Sequence, residues 1–344
     1  MGSKKRRDAV AAAASGRPSG SSPARGGRLA VWASETVRDG VEFTGVLRTP
    51  HATPALALMG VLIGIGSFFA FTPVVTQLLG AGYWLALGRP GTFADTYASL
   101  LAYEVPFGMV AAQLGIALLI PISAALVLTL HHVRPAYLFS VRPGMRWRPF
   151  VVFLGVALVT LNGVLWINNA IAGKPFVVAP QPGFAGFLVA ILLTSPLQAA
   201  AEEVFFRGYL LQALGSLSSN RWVGILASAL LFALFHGVQN GWLFASRFAF
   251  GVLAAVLVVY VGGLEAGIAA HVVNNVFAFV YAGLSTGIAQ LKATTEVTPG
   301  DALGEVVMYA VFTAAALGVA RLLRLQRVTG ASTVAGLGAG RPVR

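Results

Sequence analysis

Residues 184–214 read FAGFLVAILLTSPLQAAAEEVFFRGYLLQAL. This stretch is longer than the roughly 20 apolar residues that a helix needs to cross a bilayer. Two adjacent carboxylates, Glu202 and Glu203, and the guanidinium of Arg207 break its apolar run. A charged side chain at the centre of a membrane helix costs at least about 2.5–3.5 kcal/mol, so charges in such positions usually mark a function. The stretch therefore predicts a membrane helix with functional polar groups inside it.

The composition of the whole chain is typical of a membrane protein. Of its 344 residues, 57% are hydrophobic and 10% are charged, whereas a soluble domain carries about 25% charged residues. These values predict a polytopic membrane protein without a soluble enzyme module. The chain contains no cysteine, which excludes disulfides, thiol nucleophiles and cysteine metal sites.

Basic residues are concentrated near the two ends of the chain. The net charge is +12, with nine basic residues in the first 48 positions and five from Arg321 onward. Nucleic-acid binding is one interpretation of such a balance. Basic flanks on the cytoplasmic side of a membrane protein produce the same pattern, and we favour this interpretation. We therefore expect membrane lipid as a partner and no nucleic acid.

Eight apolar segments are candidates for membrane helices. In chain order they are Ala55–Leu79, Val105–Leu130, Phe150–Ala172, Phe184–Leu214, Trp222–Gly237, Leu243–Val261, Leu264–Leu284 and Val306–Leu323. The sequence thus predicts an all-α membrane protein, a bundle of about eight transmembrane helices around an intramembrane polar cavity. The fifth segment is the shortest. We expect kinks at three prolines inside these segments, namely Pro73, Pro121 and Pro196.

The same pattern divides the chain into five regions. They are a disordered basic cytoplasmic tail (1–50), N-terminal transmembrane helices (51–183), core helices with the charged stretch (184–284), a final loop and helix (285–325) and a basic C-terminal tail (326–344). The loop after the second segment is rich in arginine, at positions Arg134, Arg142, Arg146 and Arg148. Because basic loops stay on the cytoplasmic side, we expect a multi-pass plasma-membrane protein with both termini in the cytoplasm.

The three charged residues of the fourth segment have distinct positions on the helix. Glu203 and Arg207 are four residues apart, so they share a helix face and can form an ion pair. Glu202 is rotated from Glu203 by about 100°, given 3.6 residues per turn. If Arg207 neutralises Glu203, then Glu202 stays free to act on a water as general base and acid. The structural alternative is a charge cluster that only fixes helix packing.

Two later segments carry a histidine in their interior. His236 ends the fifth segment with Phe232 one turn before it, and His271 shares a face of the seventh segment with Asn275. The amide of Asn275 can donate hydrogen bonds to an oxyanion. Each of these groups alone could instead hold helices together. Their occurrence together with Glu202 favours a hydrolytic site.

Two other charged residues lie in this part of the chain. We expect Glu265, at the start of the seventh segment, to lie at the membrane interface rather than in the site. Arg247, in the sixth segment, either lines the cavity or pairs with Glu265, and the sequence leaves both alternatives open.

The motifs together resemble those of the CAAX-protease and bacteriocin-processing family of intramembrane proteases, also called the abortive-infection family. The motif Glu-Glu-x-x-x-Arg is matched by Glu202, Glu203 and Arg207; Phe-x-x-x-His by Phe232 and His236; and His-x-x-x-Asn by His271 and Asn275. All three occur in the order of the family, each on its own apolar segment. The resemblance covers about residues 184–284.

The resemblance implies an intramembrane endopeptidase that hydrolyses a peptide bond with a glutamate-activated water. It assigns Glu202 as the base, with Glu203 held by Arg207, and Asn275 as the oxyanion donor. His236 and His271 would orient the water or bind a metal. The implied class is metalloprotease, in which His236 and His271 would bind zinc, and the same groups also suit a reaction without metal. The implied substrate is a peptide or a membrane protein.

Two other functions compete with this hypothesis. One is a non-catalytic membrane scaffold or bacteriocin-immunity protein with the same fold. The other is a proton-coupled transporter in which the buried carboxylates relay protons. The sequence shows neither the substrate nor the oligomeric state.

Overall fold

A computed structural model of the chain describes residues 32–174, 176–237 and 240–330. In these ranges the regular structure is helical, and β-pairing is limited to two isolated bridges, Glu42–Val328 and Ser140–Gly263. The expectation of an all-α fold is confirmed. The expected C-terminal tail lies outside the described residues from 331 onward, as does the part of the N-terminal tail before residue 32.

The helices follow the apolar segments closely. In chain order they are α1 (Pro54–Ala86), α2 (Phe93–Leu101), α3 (Pro106–Ala117), α4 (Leu119–Thr129), α5 (Trp147–Ile171), α6 (Phe184–Glu202), a π-helical segment (Glu203–Leu210), α7 (Leu211–Gly215), α8 (Arg221–Phe235), α9 (Gly241–Val261), α10 (Glu265–Gly283), α11 (Ile288–Ala293) and α12 (Pro299–Leu322). Short 3₁₀ turns occur at Phe43–Gly45 and Pro135–Leu138.

Seven helical stretches of the described chain are long and apolar enough to cross a membrane. They are α1, α3 with α4, α5, the continuous stretch Phe184–Ser216, α9, α10 and α12. The fifth segment, Trp222–Gly237, which is the shortest of the eight in the sequence, forms the short helix α8. Its 15 residues rise about 22 Å at 1.5 Å per residue, less than the roughly 30 Å of a hydrocarbon core. The bundle of about eight helices is otherwise as expected.

The prolines affect their helices differently. Pro121 has no N–H to bond to the carbonyl of Ala117, and the second span is divided at Leu118, between α3 and α4. Pro73 lies inside α1 and Pro196 inside α6, and both helices continue through them. The helix is therefore interrupted near Pro121, and it is continuous at Pro73 and Pro196.

The two ends of the described chain meet at one end of the bundle, which we call the first end. There the backbone of Glu42 pairs with that of Val328, and Thr329 N–H donates to the carbonyl of Val41. At the opposite, second end, Ala179 N–H donates to the carbonyl of Leu284 at 2.8 Å. Helix α8 begins beside Glu42 at the first end, and α9 ends beside Gln326 at the same end, so the described chain starts and finishes at the first end.

Residues 32–50 fall within the tail that the sequence predicts to be disordered, yet they lie across the first end of the bundle. Phe43 is fully buried there, with Val46 and Leu47 beside it in the core. The guanidinium of Arg48 donates to the carbonyl of Gly215 at 2.6 Å, at the end of α7. Apolar side chains and this hydrogen bond account for the ordered packing.

The π-helical segment forms the centre of the bundle. Every residue from Glu203 to Leu210 is buried. Helix α1 approaches it through glycines: a Cβ at Gly60 would overlap the Tyr209 hydroxyl, and one at Gly64 would lie 3.1 Å from Phe205. π-Helical turns are rare and frequently occur at functional sites. The charged stretch of the sequence thus lies at the most enclosed part of the fold.

Candidate active site

Glu202 is the last residue of α6, and its two carboxylate oxygens differ in environment. Oε1 accepts a hydrogen bond from Gln198 Nε2 at 2.5 Å. Oε2 is buried and has no hydrogen-bond partner within the described part of the chain. His271 Nε2, from α10, lies 3.5 Å from Oε2. One oxygen is therefore held, while the other faces an imidazole.

Glu203 is fully buried and binds two groups. Its Oε1 accepts from Arg207 Nη1 at 2.9 Å, which is the ion pair expected from the four-residue spacing, and it lies 2.9 Å from His271 Nδ1. A carboxylate in an ion pair accepts hydrogen bonds, so the proton of a neutral His271 belongs on Nδ1. The lone pair of Nε2 is then directed toward Glu202. Glu203 thus orients His271, a role that the sequence analysis did not assign to it.

Arg207 and Phe232 interact through the face of the aromatic ring. The guanidinium carbon lies 4.1 Å from the centre of the Phe232 ring and 5.2 Å from that of Phe250. Such cation–π contacts partly compensate a charge that is removed from water. Phe232 therefore supports the ion pair, which gives a physical reason for a phenylalanine at the first position of Phe-x-x-x-His.

His236 follows α8 directly and lies over the same phenylalanine, with ring centres 4.4 Å apart. Its Nδ1 is 2.8 Å from the carbonyl of Phe232, so Nδ1–H is the donor and Nε2 is left free. His236 lines the same cavity as Glu202 and His271. The structure brings the three residues together without a direct bond between His236 and Glu202.

Asn275 joins the site through a glutamine. Its Nδ2 donates to Gln198 Oε1 at 2.8 Å, and its Oδ1 accepts from Asn274 Nδ2 at 3.2 Å. Gln198 connects Asn275 to Glu202, and the sequence analysis did not identify it. Its signal was a polar residue one turn before Glu202 in a mostly apolar helix.

A small polar cavity connects these groups. Its volume is about 70 Å³, and a water molecule needs roughly 10–15 Å³ of such space. The lining residues come from five helices and the residue after α8: Gln198, Glu202, Phe232, His236, Ser246, Arg247, Phe250, His271, Asn274, Asn275, Glu305 and Tyr309. The cavity has room for a few waters but not for a peptide, so a peptide needs the helices to move apart.

The structure decides between the alternatives for Arg247. Glu265 pairs with Arg146 through two contacts of 2.6 Å, Nε to Oε1 and Nη2 to Oε2. Glu265 is fully buried at the first end of the bundle and is not among the residues that line the cavity. Arg247 therefore lines the cavity instead of pairing with Glu265. Gly263 makes room for the pair, because a Cβ there would lie 2.5 Å from Glu265 Oε2.

A tyrosine outside the spans is influenced by the charge of Glu202. Tyr103, between α2 and α3, is buried, and Lys292 Nζ lies 5.1 Å from the centre of its ring. Burial raises the pKa of Tyr103 to about 12, and the negative charge of Glu202 contributes to the rise. Tyr103 is therefore neutral at physiological pH and adds no charge on the second-end side of Glu202.

The donor set for a metal is incomplete in this arrangement. Among the residues that the structure describes, no group of three or more His, Cys, Asp or Glu side chains is arranged to hold a metal ion. A catalytic zinc site normally has three protein ligands. Glu203 Oε1 is already shared by Arg207 and His271. Zinc on His236 and His271 stays a prediction.

Comparison with known proteins gives a match to the part of the chain that contains the site. Residues 184–277 match the family described as type II CAAX prenyl endopeptidase, Rce1-like. The uncharacterized protein YyaK of Bacillus subtilis (strain 168) is 36% identical over 100 residues, which are 27% of this chain and 33% of that protein. The match thus spans about a third of the relative's length. No solved structure matches the chain. The family resemblance expected from the three motifs is confirmed over residues 184–277, which are similar to the Rce1-like type II CAAX prenyl endopeptidases.

Proposed function

We propose that the protein is an intramembrane endopeptidase of the CAAX prenyl protease type. One observation carries this proposal: Glu202 Oε2 and His271 Nε2 face each other at 3.5 Å in a polar cavity inside the bundle. In the tautomer set by Glu203, both atoms are hydrogen-bond acceptors. Two acceptors at this separation do not bond to each other, and a water that donates one hydrogen to each satisfies both. Such a water is positioned for attack.

The reaction is a hydrolysis of a peptide bond by this water. Glu202 Oε2 takes a proton from the water as its oxygen bonds to the carbonyl carbon of the substrate. The tetrahedral intermediate collapses when the C–N bond breaks, and Glu202 returns the proton to the leaving nitrogen. The products are a carboxylic acid and an amine. His271 holds the water through Nε2, and Glu203 holds His271.

The developing negative charge on the substrate oxygen needs a donor. Asn275 Nδ2 carries two hydrogens, of which one is donated to Gln198. The second is free to donate to an oxyanion, and one such donor contributes about 10²–10³-fold in kcat. This role for Asn275 agrees with the role that the family resemblance implies.

We also propose where the enzyme acts. The seven apolar spans support a multi-pass protein of a plasma membrane. Because the described chain ends meet at the first end, where the arginine-rich loop also lies, we place both termini in the cytoplasm. The substrate is then a peptide or membrane protein that reaches the cavity within the lipid.

The test is cleavage by purified protein reconstituted in liposomes. The substrates are a library of peptides with varied C-terminal sequences, with and without a prenyl group, and mass spectrometry detects the products. Glu202→Gln should abolish cleavage, because the amide keeps the shape but cannot take the proton. Glu296→Gln, which changes an exposed carboxylate outside the cavity, is the matched control and should retain activity. Absence of cleavage by the wild-type protein would instead favour the scaffold or transporter hypotheses, and equal cleavage by wild type and Glu202→Gln would show that Glu202 is not the base.

A further inference from the structure

Gln198 is a buried polar residue to which the proposed reaction assigns no step. It lies in α6, one turn before Glu202, and is 7% exposed. A buried amide is unfavourable unless its polar atoms are hydrogen-bonded. Both ends of this amide are bonded within the site: Nε2 donates to Glu202 Oε1 at 2.5 Å, and Oε1 accepts from Asn275 Nδ2 at 2.8 Å.

These bonds belong to a directed chain of amides. Asn274 Nδ2 donates to Asn275 Oδ1, Asn275 Nδ2 donates to Gln198 Oε1, and Gln198 Nε2 donates to the Glu202 carboxylate. Every donor in the chain is directed toward Glu202. Successive hydrogen bonds of this kind polarise one another, and a bond that ends on a charged group is the strongest type. The chain therefore fixes the orientation of the carboxylate.

We propose that Gln198 is a positioning residue that sets Glu202 and Asn275 as one unit; this inference rests on the proposed function. By holding Oε1, Gln198 leaves Oε2 as the oxygen that faces His271 and takes the proton. By accepting from one hydrogen of Asn275, it also sets the direction of the other, which is the oxyanion donor. The base and the oxyanion donor come from α6 and α10, and Gln198 links them directly.

The loss of this link should act on turnover more than on substrate binding. Without Nε2–H, Oε1 of Glu202 loses its hydrogen-bond donor, and the carboxylate is free to rotate away from His271. Misplacement of a reacting group by about 1 Å can reduce turnover about 10²-fold. Gln198→Met keeps most of the side-chain volume and removes both hydrogen bonds. We expect kcat to fall by about 10- to 100-fold, since the bond is to a charged group, and KM to stay within about 2-fold.

The chain offers a matched control in Gln113. This glutamine of α3 is also buried, and it bonds to Thr194 and Ser195 of α6 rather than to the site. Gln113→Met removes a buried amide network from another interface of the same helix, α6. It should lower thermal stability to an extent similar to Gln198→Met but leave kcat near the wild-type value. A merely structural role for Gln198 predicts the same kcat change in both variants.

Two measurements decide the inference. The first compares kcat and KM of Gln198→Met, Gln113→Met and wild type, and an unchanged kcat in Gln198→Met would overturn the positioning role. The second is an experimental structure of full-length Gln198→Met, which should show Glu202 Oε2 turned away from His271 Nε2. A retained 3.5 Å separation would contradict the inference even if no peptide were cleaved. If Glu202→Gln cleaved peptide at the wild-type rate, the proposed reaction would fail. The structure of Gln198→Met would still show whether Gln198 holds Glu202 in place.

Discussion

The buried ion pair between Glu203 and Arg207 gives a quantitative prediction about stability. Both side chains are 0% exposed, and their charged atoms lie 2.9 Å apart. Replacing Arg207 with methionine keeps most of the side-chain volume and removes the charge. Glu203 would then stay buried with His271 as its remaining partner. Breaking a buried pair by removing one partner costs about 3–5 kcal/mol, because the remaining charge is uncompensated.

The assay is thermal unfolding of the full-length protein in one detergent, with wild type and variants measured at the same scan rate. Lys174→Ala is the control, because it breaks the Lys174–Asp301 pair, whose side chains are 62% and 44% exposed. Such an exposed pair contributes about 0–1 kcal/mol. We expect Arg207→Met to unfold at a clearly lower temperature than wild type and Lys174→Ala to unfold near the wild-type temperature.

A double variant separates the charge from the packing. In Glu203→Gln with Arg207→Met, neither residue carries a charge, so the desolvation cost that follows from the single change is removed. The double variant should therefore be more stable than Arg207→Met alone. If Arg207→Met were as stable as wild type, or if the two changes simply added, the pair would not be a buried, mutually compensated ion pair.

Three further outcomes are expected. Asn275→Ala should reduce kcat by about 10²–10³-fold while KM changes little, because it removes a donor that acts in the transition state; steady-state cleavage kinetics measure this, and a change in KM alone would contradict it. If His236 and His271 bind zinc, elemental analysis of purified protein should find nearly one zinc per chain, and His271→Ala should lose it; full activity in zinc-free protein would leave the metal-independent reaction. Reporter fusions after residue 344 and within 176–183 should report opposite sides of the membrane, and reporters on one side would contradict the topology.

Much of the architecture follows from the sequence because membrane insertion depends on apolar length. Seven of the eight expected segments correspond to spans, with boundaries shifted by a few residues. The Glu203–Arg207 pair also follows from local spacing, since residues four apart share a face. Trp222–Gly237 was counted among the candidate spans although it is the shortest, because only its length argues against crossing.

Contacts between distant parts of the chain could not be predicted from the sequence. Arg146 and Glu265 are 119 positions apart, and nothing in the local pattern connects them. The role of Gln198 in α6 was not predicted, because it depends on a hydrogen bond with Asn275 of α10. The second partner of Glu203 was missed for the same reason: His271 lies 68 positions away. Sequence motifs identify residues of a buried site. Their hydrogen-bond partners can be identified only when the packing of the helices is known.

The most direct test of the account is cleavage by Glu202→Gln protein that retains the wild-type fold. Wild-type protein in liposomes should release peptide fragments, and the Glu202→Gln variant should release none above background while unfolding at a similar temperature. This result would place the proton transfer on Glu202, the residue whose free oxygen faces His271 at 3.5 Å. Undiminished cleavage by a folded Glu202→Gln variant would contradict the central claim that this carboxylate activates the water.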